Sequence, residues 1–281
     1  MLDRRTVLRL PALGAVGVGL SALTGLTACD QEDDVPAETP GARRETYGTD
    51  PSQFGELHLP AGEPRGTVVV IHGGFWQAAY DYTLGTPLAE SLADEGWAAW
   101  NLEYRRVGNG GGTPATFDDV ARGIDRLRDL DVPLDTVVTL GHSAGGHLAA
   151  WAAARDRYDF AADVAVTHVV SQAGVLDLVA GDVLGGGAVQ SLLGHPPTAA
   201  DERYDPQQQV PLDVPVWCVH GTDDVIVPLS QSQDYVAAAV AAGAEAEVVE
   251  VDGDHFVVID PASAAWTSTL EILDAIAPAP R

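Results

Sequence analysis

From about Arg44 onward the chain alternates short apolar runs with longer stretches in which apolar residues recur at helical spacing. A mostly parallel sheet needs that alternation, because strands buried on both faces read as unbroken apolar runs and each crossover carries a helix. The pattern predicts strands near residues 55–59, 67–71, 98–103, 136–140, 168–172, 216–219 and 246–251, with an eighth near 44–47. Helices are expected over 84–95, 116–130, 144–155, 230–242 and 262–276, each ending near Gly, Pro or Asp. One stretch breaks the rhythm: residues 174–211 are rich in Gly and Pro and read as a small cap.

Ahead of this pattern, Arg4-Arg5 precedes an apolar run from Val7 through Thr27, the layout of a signal peptide. The segment from Asp3 to Arg9 resembles a twin-arginine export signal, and Leu26-Thr27-Ala28-Cys29 resembles a bacterial lipobox. The expectation is a signal over residues 1–28, lipidation of Cys29, and an acidic, Pro-containing tether over 29–43. An extracytoplasmic protein held on a membrane through Cys29 follows, with a soluble secreted form or an uncleaved apolar anchor as alternatives.

Residues 44–281 are then one domain, since 281 residues at 46% hydrophobic content support one sizeable core. Charge narrows the partners. The 15 cations, all Arg, stand against 41 Asp and Glu for a net charge of −26. Such a surface repels phosphate backbones, so nucleic acid is not an expected partner. Cysteine adds little: with Cys29 lipidated, Cys218 has nothing to pair with and reads as a small buried residue.

The chemistry sits at strand ends. Gly141-His142-Ser143-Ala144-Gly145 follows one predicted strand and opens a small-residue helix, the context of a nucleophile elbow with Ser143 exposed on a tight turn. His72-Gly73-Gly74-Phe75-Trp76 ends an earlier strand and reads as a loop whose backbone N–H groups receive an oxyanion. In that reading Ala144 supplies one N–H, and Gly74 or Phe75 the other. A serine hydroxyl needs a base, and His255 lies just beyond the last strand. Its orienting acid is expected in His220-Gly221-Thr222-Asp223-Asp224, where Asp224 is the choice. Phe75 and Trp76 are expected to line the substrate pocket, facing cap residues Val175, Leu176, Leu178, Leu192 and Leu193. Tyr104 and Arg105 are candidate supports of the oxyanion loop, while His58, His168, His195 and His220 read as structural or surface residues. No zinc spacing and no dinucleotide-binding glycine pattern is present, and no cofactor is expected.

Taken in order, His72-Gly73-Gly74-Phe75-Trp76, Glu103-Tyr104-Arg105, Gly141 to His147, and His220 to Pro228 resemble the α/β-hydrolase superfamily. The resemblance is to its esterase and lipase branch with HGG-type oxyanion loops, including arylformamidase-like and feruloyl or acetylxylan esterase-like members. It implies a triad in the chain order Ser143, Asp224, His255, and an acyl-enzyme route for short-acyl esters. Formamide cleavage is the alternative activity, and a non-catalytic binding protein on the same fold is the alternative class. A peptidase of the prolyl-oligopeptidase type is disfavoured, because the chain is too short for the accessory propeller.

Overall fold

The computed structural model describes residues 41–278; the expected signal, Cys29 and most of the tether lie outside the described residues. Eight strands form one sheet: β1 (Arg43–Thr46), β2 (Phe54–His58), β3 (Thr67–Ile71), β4 (Ala98–Leu102), β5 (Val137–His142), β6 (His168–Gln172), β7 (Val216–Gly221) and β8 (Ala246–Val251). Their spatial order is β1-β2-β4-β3-β5-β6-β7-β8. The first two joins, β1 to β2 and β2 to β4, are antiparallel, and the remaining five are parallel.

The parallel centre is apolar because both of its faces are covered, as in the Thr-Val-Val-Val-Ile run of β3, which is buried throughout. Alternate residues point to opposite faces. Val68 and Val70 therefore pack with Leu88 and Leu92 of α1 (Thr86–Asp94) and Trp266 and Leu273 of α6 (Ala264–Ile276). Val69 and Ile71 join the other core, with Phe117 of α2 (Ala115–Asp125), Leu148 and Trp151 of α3 (Ala144–Ala152) and Tyr235 of α5 (Ser230–Ala241). The predicted strands appear within a residue or two, and β5 runs on through His142 to meet the elbow directly. Two expected helices end early: α3 stops at Ala152 and α2 at Asp125, each continuing as or followed by a 3-10 turn.

Residues 174–211 hold three 3-10 turns and the short helix α4 (Ala188–Leu193). Val175, Leu176, Leu178, Leu192 and Leu193 are all buried in the core beneath α2 and α3, which corrects the expectation that they wall a pocket. The reason lies in α3, whose Ala-Gly-Gly-His-Leu-Ala-Ala-Trp-Ala sequence is buried along its full length and would otherwise leave apolar surface bare. Polar ties hold the segment there: Trp151 donates to the Arg203 carbonyl at 3.0 Å, His147 Nε2 to the Tyr204 carbonyl at 2.8 Å, and Thr113 N–H to the Leu192 carbonyl at 2.9 Å.

Winding reverses after β4, which lies on one side of β3 while β5 lies on the other. Crevices at the carboxyl ends of strands near such a reversal are where α/β sheets bind ligands. The loops following β3, β5, β7 and β8 all open at that end.

Candidate active site

Ser143 stands between β5 and α3 at φ 54°, ψ −117°, a backbone region that L-residues avoid. Three backbone bonds hold it there: its N–H donates to Gln172 C=O at 2.8 Å, and its carbonyl accepts from His147 N–H at 3.1 Å and Val175 N–H at 3.4 Å. The flanking glycines are required by contact. A Cβ on Gly145 would lie 2.0 Å from the Ile71 carbonyl oxygen, and one on Gly141 would lie 2.1 Å from the Gly145 carbonyl oxygen. A side chain at Gly145 would push the elbow off β3, and one at Gly141 would push α3 off β5.

The residues expected as base and acid meet because the ends of β7 and β8 are sewn together. Thr222 N–H donates to Val251 C=O, and Asp223 N–H to Gly253 C=O, both at 2.9 Å. Across that seam His255 Nδ1 lies 2.6 Å from Asp224 Oδ2. An ionised carboxylate only accepts, so Nδ1 carries the proton and Nε2 keeps its lone pair. Burial on its own would raise the Asp224 carboxyl, but hydrogen bonds from His220, His255 and the Val227 N–H hold it well below the usual carboxylate range. The Asp223 side chain is exposed by comparison. His142 braces the base from behind by donating from Nε2 to the His255 carbonyl at 2.9 Å. Burial first, and the neighbouring charge of His255 second, push His142 down to about 3, so it stays neutral.

The loop after β3 reaches the same place. Gly74 has φ 108°, and a Cβ on it would meet the Tyr80 side chain at 2.3 Å. Phe75 and Trp76 follow with φ near 55° each, unusual for bulky residues and closed by the bond from Gln77 N–H to Gly74 C=O. Gly73 brings the loop against the elbow: a Cβ there would lie 3.2 Å from Ser143 Cβ. Ala144 opens α3, where the first-turn N–H groups have no acceptor in the helix.

The support beneath this loop differs from expectation. Tyr104 does join it, its hydroxyl donating to the His72 carbonyl at 2.7 Å while the two rings stack at 4.5 Å. Arg105 turns away to a two-pronged bond with Asp119 at 2.7 Å for each prong. Arg106 takes its place, donating to His72 Nε2 at 3.1 Å and bonding to the buried carboxylate of Glu103. Glu103 also accepts from the Tyr82 and Tyr104 N–H groups.

Ser143, His142, His255, Gly74 and Phe75 line one cavity of ≈ 110 Å³, walled by Tyr80, Leu84, Ile226, Phe256 and Ile259. Trp76, expected in that wall, is not part of it. Its ring is buried in the core and donates from Nε1 to His147 Nδ1 at 3.2 Å, because a buried indole N–H must find an acceptor. Of the apolar wall residues other than Phe75, Ile226, Phe256 and Ile259 come from the loops after β7 and β8, where only an acid and a base were expected, and Tyr80 and Leu84 from the segment between the oxyanion loop and α1. His220 was also missed: its ring is buried against Asp224, with Nε2 at 3.3 Å from Oδ2. Among the described residues, no group of three or more His, Cys, Asp or Glu side chains is arranged to hold a metal ion.

A family model described as BD-FAE matches residues 56–238, more than half of the chain. The chain belongs to the BD-FAE family. Among individual relatives, Esterase LipC of Mycobacterium tuberculosis is 28% identical over 260 residues, covering 78% of this chain and 64% of its own. The uncharacterized protein YfhR of Salmonella typhimurium is 27% identical over 201 residues, covering 67% and 64%. The chain thus spans just under two thirds of the length of these relatives. Among solved structures, esterase Est2 of Thermogutta terrifontis with propionate bound superposes with a TM-score of 0.71 at 25% identity, over 86% of this chain and 95% of that one. Esterase B of Lactobacillus rhamnosis, inhibited by a tributyrin phosphonate, gives 0.71 at 23% identity over 84% and 85%. The fold is that of the α/β-hydrolases.

Proposed function

We propose that this protein is a serine hydrolase that cleaves short-acyl carboxylic esters, with Ser143 as nucleophile, His255 as base and Asp224 as orienting acid. The observation carrying this reading is the 2.6 Å bond from His255 Nδ1 to Asp224 beside a strained Ser143 on a shared cavity. His255 Nε2 takes the hydroxyl proton as Ser143 Oγ attacks the ester carbonyl, and the imidazolium returns that proton to the departing alcohol. The carbonyl oxygen, negative in the tetrahedral intermediate, lies on the N–H of Ala144 and that of Gly74 or Phe75. Water then adds to the acyl-enzyme by the same proton relay and releases the acid.

A short acyl preference follows from size, since the ≈ 110 Å³ cavity is well below the roughly 300–1,000 Å³ of sites for larger ligands. The propionate held by Est2 agrees with it. Each methylene that fits adds about 0.8 kcal/mol of burial, so kcat/KM rises with length until the wall stops it. Nitrophenyl esters of increasing chain length are expected to peak between acetyl and butyryl. A maximum at octanoyl or beyond rejects the short-pocket reading, and faster turnover of N-formylkynurenine than of esters assigns the enzyme to formamide cleavage.

Lipidation of Cys29 and an extracytoplasmic, membrane-held location complete the proposal, on the strength of the Arg4-Arg5 and Leu26-Thr27-Ala28-Cys29 motifs flanking one apolar run. Fatty-acid label on the wild type, lost in Cys29→Ser, is the expected result in the native host. An unlabelled wild type there refutes it.

A further inference from the structure

We infer that His220 is a positioning residue of the triad, a second histidine that grips the Asp224 carboxylate and sets the oxygen facing His255. The inference rests on the reading of Asp224 and His255 given above. His220 lies in β7 with its ring wholly buried, and both of its nitrogens are engaged. Nε2 is 2.9 Å from the Val227 carbonyl oxygen and 3.3 Å from Asp224 Oδ2, and Nδ1 is 2.7 Å from Ser232 Oγ in α5.

These partners fix the proton. The Val227 carbonyl can only accept, so Nε2 carries hydrogen and shares it between that carbonyl and Asp224. Nδ1 therefore holds a lone pair and accepts from the Ser232 hydroxyl. Moving the proton from Nε2 to Nδ1 would set a bare lone pair against two acceptors. The ring is set as a donor at Nε2, and it ties the end of β7 to the residue that closes the acid loop.

Asp224 is consequently held at both oxygens. Oδ1 accepts from Ile226 N–H at 2.8 Å and Val227 N–H at 2.9 Å, while Oδ2 accepts from His255 and His220. With His220 absent, Oδ2 has one donor fewer and its charge falls more fully on His255, which favours the imidazolium. The carboxylate also gains freedom to tilt away from Nδ1. The first effect moves the acid limb of the pH profile upward, and the second lowers kcat. Substrate binding is untouched, because His220 is not among the residues lining the cavity. Of the buried titratable groups around the cluster, His142, packed on His255 at 4.5 Å between ring centres, is held down to about 3 by burial, and burial pushes the Cys218 thiol up to about 12, so both are neutral at working pH, while the exposed Asp223 and Asp254 carboxylates beside the two loops are the same in wild type and variant.

The test compares His220→Leu, which removes the donor, with His220→Gln, whose amide nitrogen can restore it. His220→Leu is expected to lose about 10- to 100-fold in kcat with KM within about twofold, and to shift the acid limb of kcat/KM upward by about half a pH unit. His220→Gln should recover the wild-type limb and most of kcat. In an Asp224→Asn background, His220→Leu should add little, since the two act as one unit. Equal losses in both variants with an unmoved limb overturn the inference and leave His220 as packing alone. If Asp224→Asn by itself costs little, the triad reading fails instead. Should the Leu variant not fold, ¹⁵N spectra of histidine-labelled wild type decide: His220 protonated on Nε2 supports the inference, and protonation on Nδ1 overturns it.

Discussion

Ser143→Ala is expected to lose turnover by about four powers of ten or more and to abolish covalent labelling by a fluorophosphonate probe. In the proposed mechanism the Ser143 hydroxyl is the group that bonds to the acyl carbon, and Ser143 lines the cavity. The fold should survive, since alanine fits the space and the bonds from Gln172, His147 and Val175 involve only the Ser143 backbone. Retained labelling, or a loss of only about tenfold, would remove Ser143 from the mechanism.

Asp224→Asn is the second large effect, expected near about 10⁴-fold in kcat, against less than about threefold for Asp223→Asn. An amide at position 224 carries a donor on one side, so it cannot accept from two backbone N–H groups, His220 and His255 together. The imidazole is then drawn toward the tautomer with its proton on Nε2, facing the serine, and the base is lost. Asp223 is one residue away but exposed, with its N–H rather than its carboxylate committed to the seam with Gly253. Equal kcat losses for the two variants would mean the acid is misassigned.

The elbow and the loop after β3 were legible as candidates because each stands where a backbone constraint leaves a mark on the sequence. Gly141 and Gly145 are forced by contacts near 2 Å with neighbouring backbone, and Gly74 by a positive φ, so the motifs record close approach rather than chemistry alone. The strands were legible for the related reason that burial on both faces admits few residue types. What remained hidden depends on which of two dry surfaces a side chain chooses. Trp76 follows a pocket residue in sequence, yet its direction is decided by His147, an acceptor on α3 that is distant along the chain. The cap residues Leu192 and Leu193 were apolar either way, and only the bareness of α3 explains why they cover it. Arg105 and Arg106 are identical in kind, and the buried Glu103 selects the second. His220 belongs to the same group, since its contact with Asp224 exists only once the loop has closed on itself.

The way β1 joins the sheet sets where the described residues begin relative to the cavity. Arg43 pairs with Leu57 while Thr46 pairs with Phe54, and on the next strand His58 pairs with Ala99 while Gly55 pairs with Leu102. The chain therefore enters beside the amino ends of the parallel strands and runs toward their carboxyl ends, where the cavity opens. A tag joined at residue 41 is therefore attached on the side of the sheet opposite the cavity mouth.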